Sequence, residues 1–301
     1  RLRFDRTNTK FEDQRYASTI NIFAHSPYGF YKYENVSDQA LYGDLMANIN
    51  KTLGNFSIGA NIGGSFQRTQ YEDYGYQGGL KAPSNIFTPN AIDYATATND
   101  NRPIFEFNKH YINSIFANAE LGWKSMLFLT LTGRNDWDSA LAGTKHESFF
   151  YPSVGMSAII SQMARLPEFI SFLKVRGSWA SVGSAISPNI ASRWRYEYNP
   201  ASQSYSTVTY KFPDTFYPER TNSWEAGLTA RFFDNALTLD VTFYQSNTRK
   251  QTFLRPITVG EGYSQEYVQT GNVRNRGIEL ALGYNKTWGD FTWNSSFTYS
   301  M

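Results

Sequence analysis

The side chains able to do chemistry in this chain are few and scattered. His25, His110 and His146 are its three histidines, and none stands at the spacing that brings two imidazoles to one metal, so they read as ordinary loop residues. The absence of cysteine removes thiolate ligands, thiol nucleophiles and a disulfide scaffold together. Ser171-Phe172-Leu173-Lys174 has the Ser-x-x-Lys form, but Lys174 falls in a strand-like stretch and no companion motif follows it. Asp136 with Asp138, and the run Asn99-Asp100-Asn101, gather the oxygen ligands that calcium takes, although loop solvation explains them more simply. Gly260-Glu261-Gly262 is a turn rather than a phosphate cradle. No nucleophile elbow is present, and calcium is the one cofactor for which a case exists.

Aromatic residues offer more. Tyr71, Tyr74 and Tyr76 sit in one predicted outer loop, Trp194, Tyr196, Tyr198 and Tyr205 in a second, and Tyr263 with Tyr267 in a third. Flat rings flanked by Asn, Gln and Arg suit stacking on sugar faces, packing against peptide side chains, or meeting a protein partner. They also suit loops that simply fold on themselves. A formal charge of +2 gives no electrostatic footprint for nucleic acid.

These loops need a frame, and the frame is β-structure. Aromatics make up 17% of 301 residues, far beyond the needs of a soluble core this size, and Asn, Ser, Thr and Gly fill the gaps between them. No apolar run approaches the roughly 18 residues of a spanning helix. Period-2 alternation recurs instead. Trp224, Ala226, Leu228, Ala230 and Phe232 oppose Ser223, Glu225, Gly227, Thr229 and Arg231; after Asp234-Asn235, Leu237, Leu239, Val241 and Phe243 oppose Thr238, Asp240, Thr242 and Tyr244. The same pattern runs through 56–62, 114–123 and 127–134, and further strands are predicted near 150–160, 173–182, 275–286 and 290–300, with weaker ones at 2–10, 15–24 and 41–52.

The links between strands alternate in length. Short ones are expected at Lys10 to Gln14, Leu53 to Asn55, Lys124-Ser125, Phe233 to Ala236 and Thr287 to Asp290, and long ones at 25–40, 68–111, 138–149, 183–221 and 249–272. Ser161 to Phe172, intermediate in length, takes a short-side slot with a helical turn near 164–170. An antiparallel up-and-down transmembrane β-barrel has this asymmetry, with tight turns on one side and long loops on the other. Strands of about ten residues also match a tilted membrane crossing. Tyr16, Tyr42, Trp123, Trp137, Trp179, Trp288 and Tyr299 are candidates for the aromatic girdle. About twelve strands are readable, against about 22 in the largest single-chain transporter barrels, so the barrel is expected to be partial. On the polar phase, Glu120, Arg134, Glu225, Arg231 and Glu279 are expected to line the lumen.

Several segments resemble the C-terminal barrel half of SusC/RagA-type TonB-dependent outer-membrane transporters. They are Gly133-Arg134-Asn135-Asp136-Trp137-Asp138-Ser139-Ala140-Leu141, Phe149-Phe150-Tyr151-Pro152-Ser153-Val154-Gly155, Leu173 to Trp179, Glu219 to Leu228 and, most specifically, Gly271-Asn272-Val273-Arg274-Asn275-Arg276-Gly277-Ile278-Glu279-Leu280. Gly277 there suits a tight backbone at a strand's start, and the motif marks wall rather than substrate site. The resemblance implies that 1–301 is part of a barrel whose plug domain and remaining strands lie elsewhere. It also implies TonB as the energy partner through that plug, a SusD-like surface lipoprotein as a lid, a bacterial outer-membrane location, and import of an oligosaccharide or oligopeptide. The rival readings are a soluble extracellular β-sandwich that binds glycans, and an outer-membrane protease or lipase. The first leaves the alternating links without a cause; the second needs partners that the histidines lack.

Overall fold

Alternation between apolar and polar residues is a strand signal only if neighbouring strands place it in phase, and here they do. The computed structural model describes residues 1–20, 26–95, 101–187, 190, 196–199, 204–207, 210–258, 263 and 265–301, with backbone alone for 196–199 and 206–207. Its long strands are β1 (Leu2–Arg15), β2 (Phe30–Leu53), β3 (Phe56–Gly79), β4 (Arg102–Trp123), β5 (Leu127–Asp138), β6 (Ser148–Ile159) and β7 (Ile170–Ser184). Three short strands follow, β8 (Tyr196–Asn199), β9 (Ser204–Thr207) and β10 (Tyr210–Lys211), and then β11 (Glu219–Phe232), β12 (Leu237–Pro256), β13 (Gln265–Trp288) and β14 (Phe291–Ser300). All but β8 and β9 belong to one 12-stranded sheet, in which each long strand pairs antiparallel with the next. The two-residue β10 lies parallel to the start of β13. The sheet is a partial barrel wall, open at β1 and β14.

Register carries each strand's apolar phase onto its neighbour's. One row, for example, joins Ile58, Leu121, Leu129, Met156 and Gly177, and another joins Val175, Leu228, Val241, Leu280 and Tyr299. The opposite face is mainly polar, with Glu120, Thr130, Gly155, Ser178, Glu225 and Tyr244 forming one of its rows and a few rings such as Phe116 and Phe172 lying under arginines. Large apolar side chains stand naked on the first face, Leu45 at 82% and Met156 at 64% exposure. In water such a surface would cost about 25 cal/mol for every Å² left uncovered, so this face requires lipid.

The apolar band has a definite height. On β3 it runs Phe56, Ile58, Ala60, Ile62, Gly64, Phe66 and then gives way to Arg68, Gln70 and Glu72. Those three are linked along the strand, Arg68 Nη2 donating to Gln70 Oε1 at 2.7 Å and Gln70 Nε2 to Glu72 Oε1 at 2.7 Å. A tilted stretch from Phe56 to Phe66 spans about 25 Å of membrane normal, the usual height of the hydrocarbon-facing band in such barrels. Rings mark both rims. Trp224 and Phe243 lie 5.1 Å apart at the upper one; Phe169 with Phe232, and Trp288 with Phe291, stack near the short turns at the lower one.

Above the band β2, β3 and β4 continue as a wing, and this corrects the sequence reading. Lys10 to Gln14 is no turn: β1 runs through it, pairing with β2 up to Arg15 opposite Phe30. The predicted loops 25–40 and 249–272 are largely strand and 68–111 is half strand, because β2 starts at Phe30, β3 reaches Gly79, β4 starts at Arg102, and β12 and β13 reach Pro256 and Gln265. Tyr71, Tyr74, Tyr76 and Tyr267 are therefore strand residues. Outside the membrane, the wing keeps apolar residues on its outward phase only in patches, and so lacks the continuous apolar phase that a pattern search finds in the band. Tyr42 faces the polar side beside Gln67, Tyr299 sits at mid-height beside Leu280, and Tyr16 packs on Phe87 in a loop, so these three are not girdle residues. Gly277 lies within β13, where a Cβ would meet Tyr244 Oη at 2.7 Å. The helical turn is Ile160–Met163, slightly earlier than expected.

Turn chemistry fits the short side. Lys124 and Ser125 both take positive φ (49° and 55°), as do Phe233, Asp234 and Asn235 (52°, 53° and 68°), and Gly54 and Gly289 do so at two further tight turns (58° and 59°). With the Lys10 to Gln14 turn removed, links still alternate between short and long at 16–29, 54–55, 80–101, 124–126, 233–236 and 289–290, but the length difference is lost at 160–169 on the short side, which is longer than 139–147 and 257–264 on the long side.

Leu228→Arg or Leu239→Arg should each lower the stability of the whole bilayer-inserted barrel by about 2–4 kcal/mol, read from urea unfolding. Thr130→Arg on the polar face should cost far less. Equal losses on the two faces would refute the assignment.

Candidate functional site

The polar face carries two built clusters and a covered mouth. The lower cluster centres on Arg176 of β7. Its guanidinium crosses β11 to reach β12, donating to Asp240 Oδ1 at 2.8 Å and Oδ2 at 3.1 Å, to Thr229 Oγ1 at 2.9 Å and to Thr242 Oγ1 at 2.5 Å. Glu225 adds a longer contact at 3.8 Å, and Thr229 Oγ1 donates to Asp240 Oδ2 at 2.6 Å. Gly227 makes the crossing feasible, since a Cβ there would stand 2.6 Å from Arg176 Nε. Three strands are thus stitched across the polar face by one bidentate pair, the strongest form of ion-pair hydrogen bonding.

The upper cluster lies on β4, β5 and β6. Arg134 donates to Asp136 Oδ1 at 2.8 Å and to Ser114 Oγ at 2.8 Å, while Tyr151 Oη donates to the other oxygen of Asp136. Asp138 Oδ1 meets His110 Nε2 at 2.6 Å and accepts the Ala140 N–H at 2.8 Å, capping the 3-10 turn Ser139–Leu141. Asp136 and Asp138 are both buried, and these groups already engage both oxygens of Asp136 and Oδ1 of Asp138. Among the described residues no group of three or more acidic or histidine side chains is placed to hold a metal; Asn99 and Asp100 lie outside them.

At the mouth, the described residues 185–186, 190, 212 and 216 of the segment between β7 and β11 pack over the polar face. Phe216 and Ile186 bury against Leu141 and Phe149, with Tyr151, Phe212 and Tyr267 packed around them. Tyr267 stacks on Phe212 at 5.6 Å. Gln269 holds the Tyr217 backbone by both of its groups, each at 2.8 Å, and the Lys250 ammonium sits 3.4 Å from the Tyr217 ring centroid.

The aromatic candidates therefore divide. Tyr267 is core to this cover, and Tyr263 is exposed. Tyr76 stacks on Tyr33 at 5.4 Å and joins Tyr31, Leu80, Phe87 and Ile92 in a second cluster, on the wing's outward side. In that cluster burial, and then Glu12 beside its hydroxyl, push the Tyr31 phenol up to about 12. Tyr74 is also outward, accepting from Asn35. Tyr71 alone of the β3 trio is on the polar face, opposite Asp38 and Asn108. Trp194 lies outside the described residues, and Tyr196 and Tyr198 are described as backbone of β8 only. Glu120, Arg134, Glu225, Arg231 and Glu279 share the polar face by register, though only Arg134 and Glu225 touch the clusters. Sequence reasoning missed Arg176, His110, Phe212 and Phe216 as site residues. The polar phase of Arg176 was readable; its partner two strands away was not.

The family described as "TonB dependent receptor-like, beta-barrel" matches residues 1–301. Among curated relatives, the chain is 26% identical over 280 residues to TonB-dependent receptor P3 of Formosa agariphila, covering 83% of this chain and 26% of that one. It is 23% identical over 312 residues to TonB-dependent receptor SusC of Bacteroides thetaiotaomicron, covering 94% of this chain and 29% of the relative. Among solved structures it resembles the RagAB peptide transporter with a TM-score of 0.79 and 19% identity, over 99% of this chain and 34% of that one. The chain thus spans between a quarter and a third of the length of these relatives.

Asp240→Ala should lower barrel stability by about 1.5–3 kcal/mol by leaving Arg176 short of its charged partner, whereas Arg176→Met combined with Asp240→Leu should cost less than the two single changes added together. Additive losses in urea unfolding would show that the pair is not coupled.

Proposed function

Because the chain belongs to the TonB-dependent receptor-like β-barrel family, we propose that it forms part of the wall and outer mouth of a bacterial outer-membrane transporter importing an oligosaccharide or oligopeptide. The observation that supports this best is the two-faced sheet: an apolar band of membrane height on one side, and on the other a polar surface with built ion-pair clusters. A polar interior suits both a hydrated path and a plug domain seated against it. In this reading Glu120, Arg231 and Glu279, with no role in the Arg176 and Arg134 clusters, meet the plug or the passing substrate. TonB acts through that plug.

The wing and the covered mouth support an external lid. Strands that continue for about 33–40 Å of chain beyond the band raise aromatic and charged surface clear of the membrane. A SusD-like lipoprotein seated there would close the mouth over substrate, with Tyr71, Tyr263, Trp194, Tyr196 and Tyr198 as the candidate contacts. The similarity in fold to RagAB, a peptide transporter, favours an oligopeptide as the first substrate to test.

Cells carrying the whole transporter should accumulate a labelled oligopeptide or oligosaccharide pool, and should stop doing so when TonB is deleted or the proton gradient is collapsed. Uptake that continues unchanged without the gradient would contradict active import.

A further inference from the structure

Where β5 leaves the sheet, β4 is left with a free edge. β5 pairs with β4 from Trp123 up to Ile112, opposite Asp138, whereas β3 pairs with β4 up to Arg102. At the departure point Ser139 Oγ accepts the Tyr111 N–H at 2.9 Å, so this group points away from β3. Alternate residues of a strand send both backbone groups to the same side. Lys109, Phe107 and Phe105 therefore also present N–H and C=O away from β3, and Pro103 presents its C=O alone. No described strand takes them.

The side chains along this edge are sorted. Outward stand Phe105, 79% exposed, and Phe107, 42% exposed. Inward stand Glu106 and Asn108, and Glu106 lies directly across from Asp73 of β3. Two carboxylates in one cross-strand pair repel each other. Asp73 Oδ1 is buried with no hydrogen-bond partner, and burial first, then Glu34 and Glu106, hold its carboxyl above the usual range. Asp38 lies nearby on the same face, and Lys32, bound to Glu34 at 2.8 Å, is the cation facing them.

We propose that residues 103–109 of β4 dock an extended cationic peptide as an added strand. Its backbone completes the open ladder, its Lys or Arg side chains face Glu106 and Asp73, and its apolar side chains lie along Phe105 and Phe107. Main-chain pairing supplies affinity in this mode, and the alternating side chains supply selectivity. A segment of five to seven residues, roughly 20 Å long, fills the edge. This rests on the reading of the chain as an oligomer importer, and makes the captured class a peptide with alternating charge.

The test uses the whole transporter purified in detergent and three labelled peptides: alternating lysine and valine, alternating glutamate and valine, and the lysine peptide N-methylated along its pairing edge. The first should bind at least about tenfold tighter than the other two. Phe107→Pro removes one outward N–H without touching the β3 ladder; this change and Glu106→Lys should each raise its Kd about tenfold or more, with heat-modifiable migration unchanged. Lys10→Ala, on β1, should do nothing. Equal binding of lysine and glutamate peptides, or a Kd indifferent to Phe107→Pro, overturns the proposal. So does a Phe107→Pro variant whose only change is dissociation of a dimer, which would make the edge an interface between copies. Uptake by cells separates the two readings: peptide import with an indifferent edge removes this proposal alone, while edge-dependent binding without import of any oligomer removes the transport reading alone.

Discussion

In hydrocarbon an unpaired backbone N–H or C=O costs several kcal/mol, and a sheet escapes that cost only by pairing every strand on both sides. The rest of this molecule follows from that condition. It forces the long strands into one continuous antiparallel ladder, and the ladder's register then decides which side chains meet lipid and which meet water. A one-residue slip anywhere would turn a whole strand inside out. The rows joining Val175 to Tyr299 and Glu120 to Tyr244 show that no such slip occurs within the band; the irregularities lie above it, between Arg249 and Thr252, or at the turn near Phe232.

The same condition explains what the sequence could and could not tell. Where one face must be lipid and the other water, alternation is strict, and the hairpin at 222–246 was readable residue by residue. Above the band neither face meets lipid, and the outward apolar residues come only in patches. Phe11-Glu12-Asp13-Gln14 then looks like a turn although it is strand, and Tyr71 and Tyr76 look like loop residues although they stand on opposite faces of β3. Loop lengths were overestimated at every wing strand for this one reason. The short turns were legible because tight hairpins demand positive φ, met here by Gly54 and Gly289 and, with more strain, by Lys124 and Ser125.

Sites fared differently from walls. Glu225 and Arg134 could be placed on the polar phase from sequence, but their partners could not, since the Arg176 to Asp240 pair spans 64 residues and two strand boundaries. Gly227, which reads as a weak strand residue, is the gap through which that guanidinium passes. The cover at the mouth was likewise invisible, because Phe212 and Phe216 carry no periodic signal; only their packing against Tyr267 and Phe149 gives them a role. In both places the energetic link is long-range, and the chain pattern is local.

The central claim is that a lipid-facing band ends at Phe66 and a water-exposed wing begins at Arg68. Since the described chain has no cysteine of its own, single cysteines carrying a spin label can be placed at each position of β3 in the membrane-inserted transporter, and their contact with oxygen in lipid compared with contact with a water-soluble relaxant. The account predicts strict alternation from Phe56 to Phe66, with lipid contact at Phe56, Ile58, Ala60 and Ile62, and water contact at every position from Arg68 to Gln77 except where Tyr76 packs. Lipid contact continuing at Gln70 and Glu72, or an absence of alternation below Phe66, would contradict it.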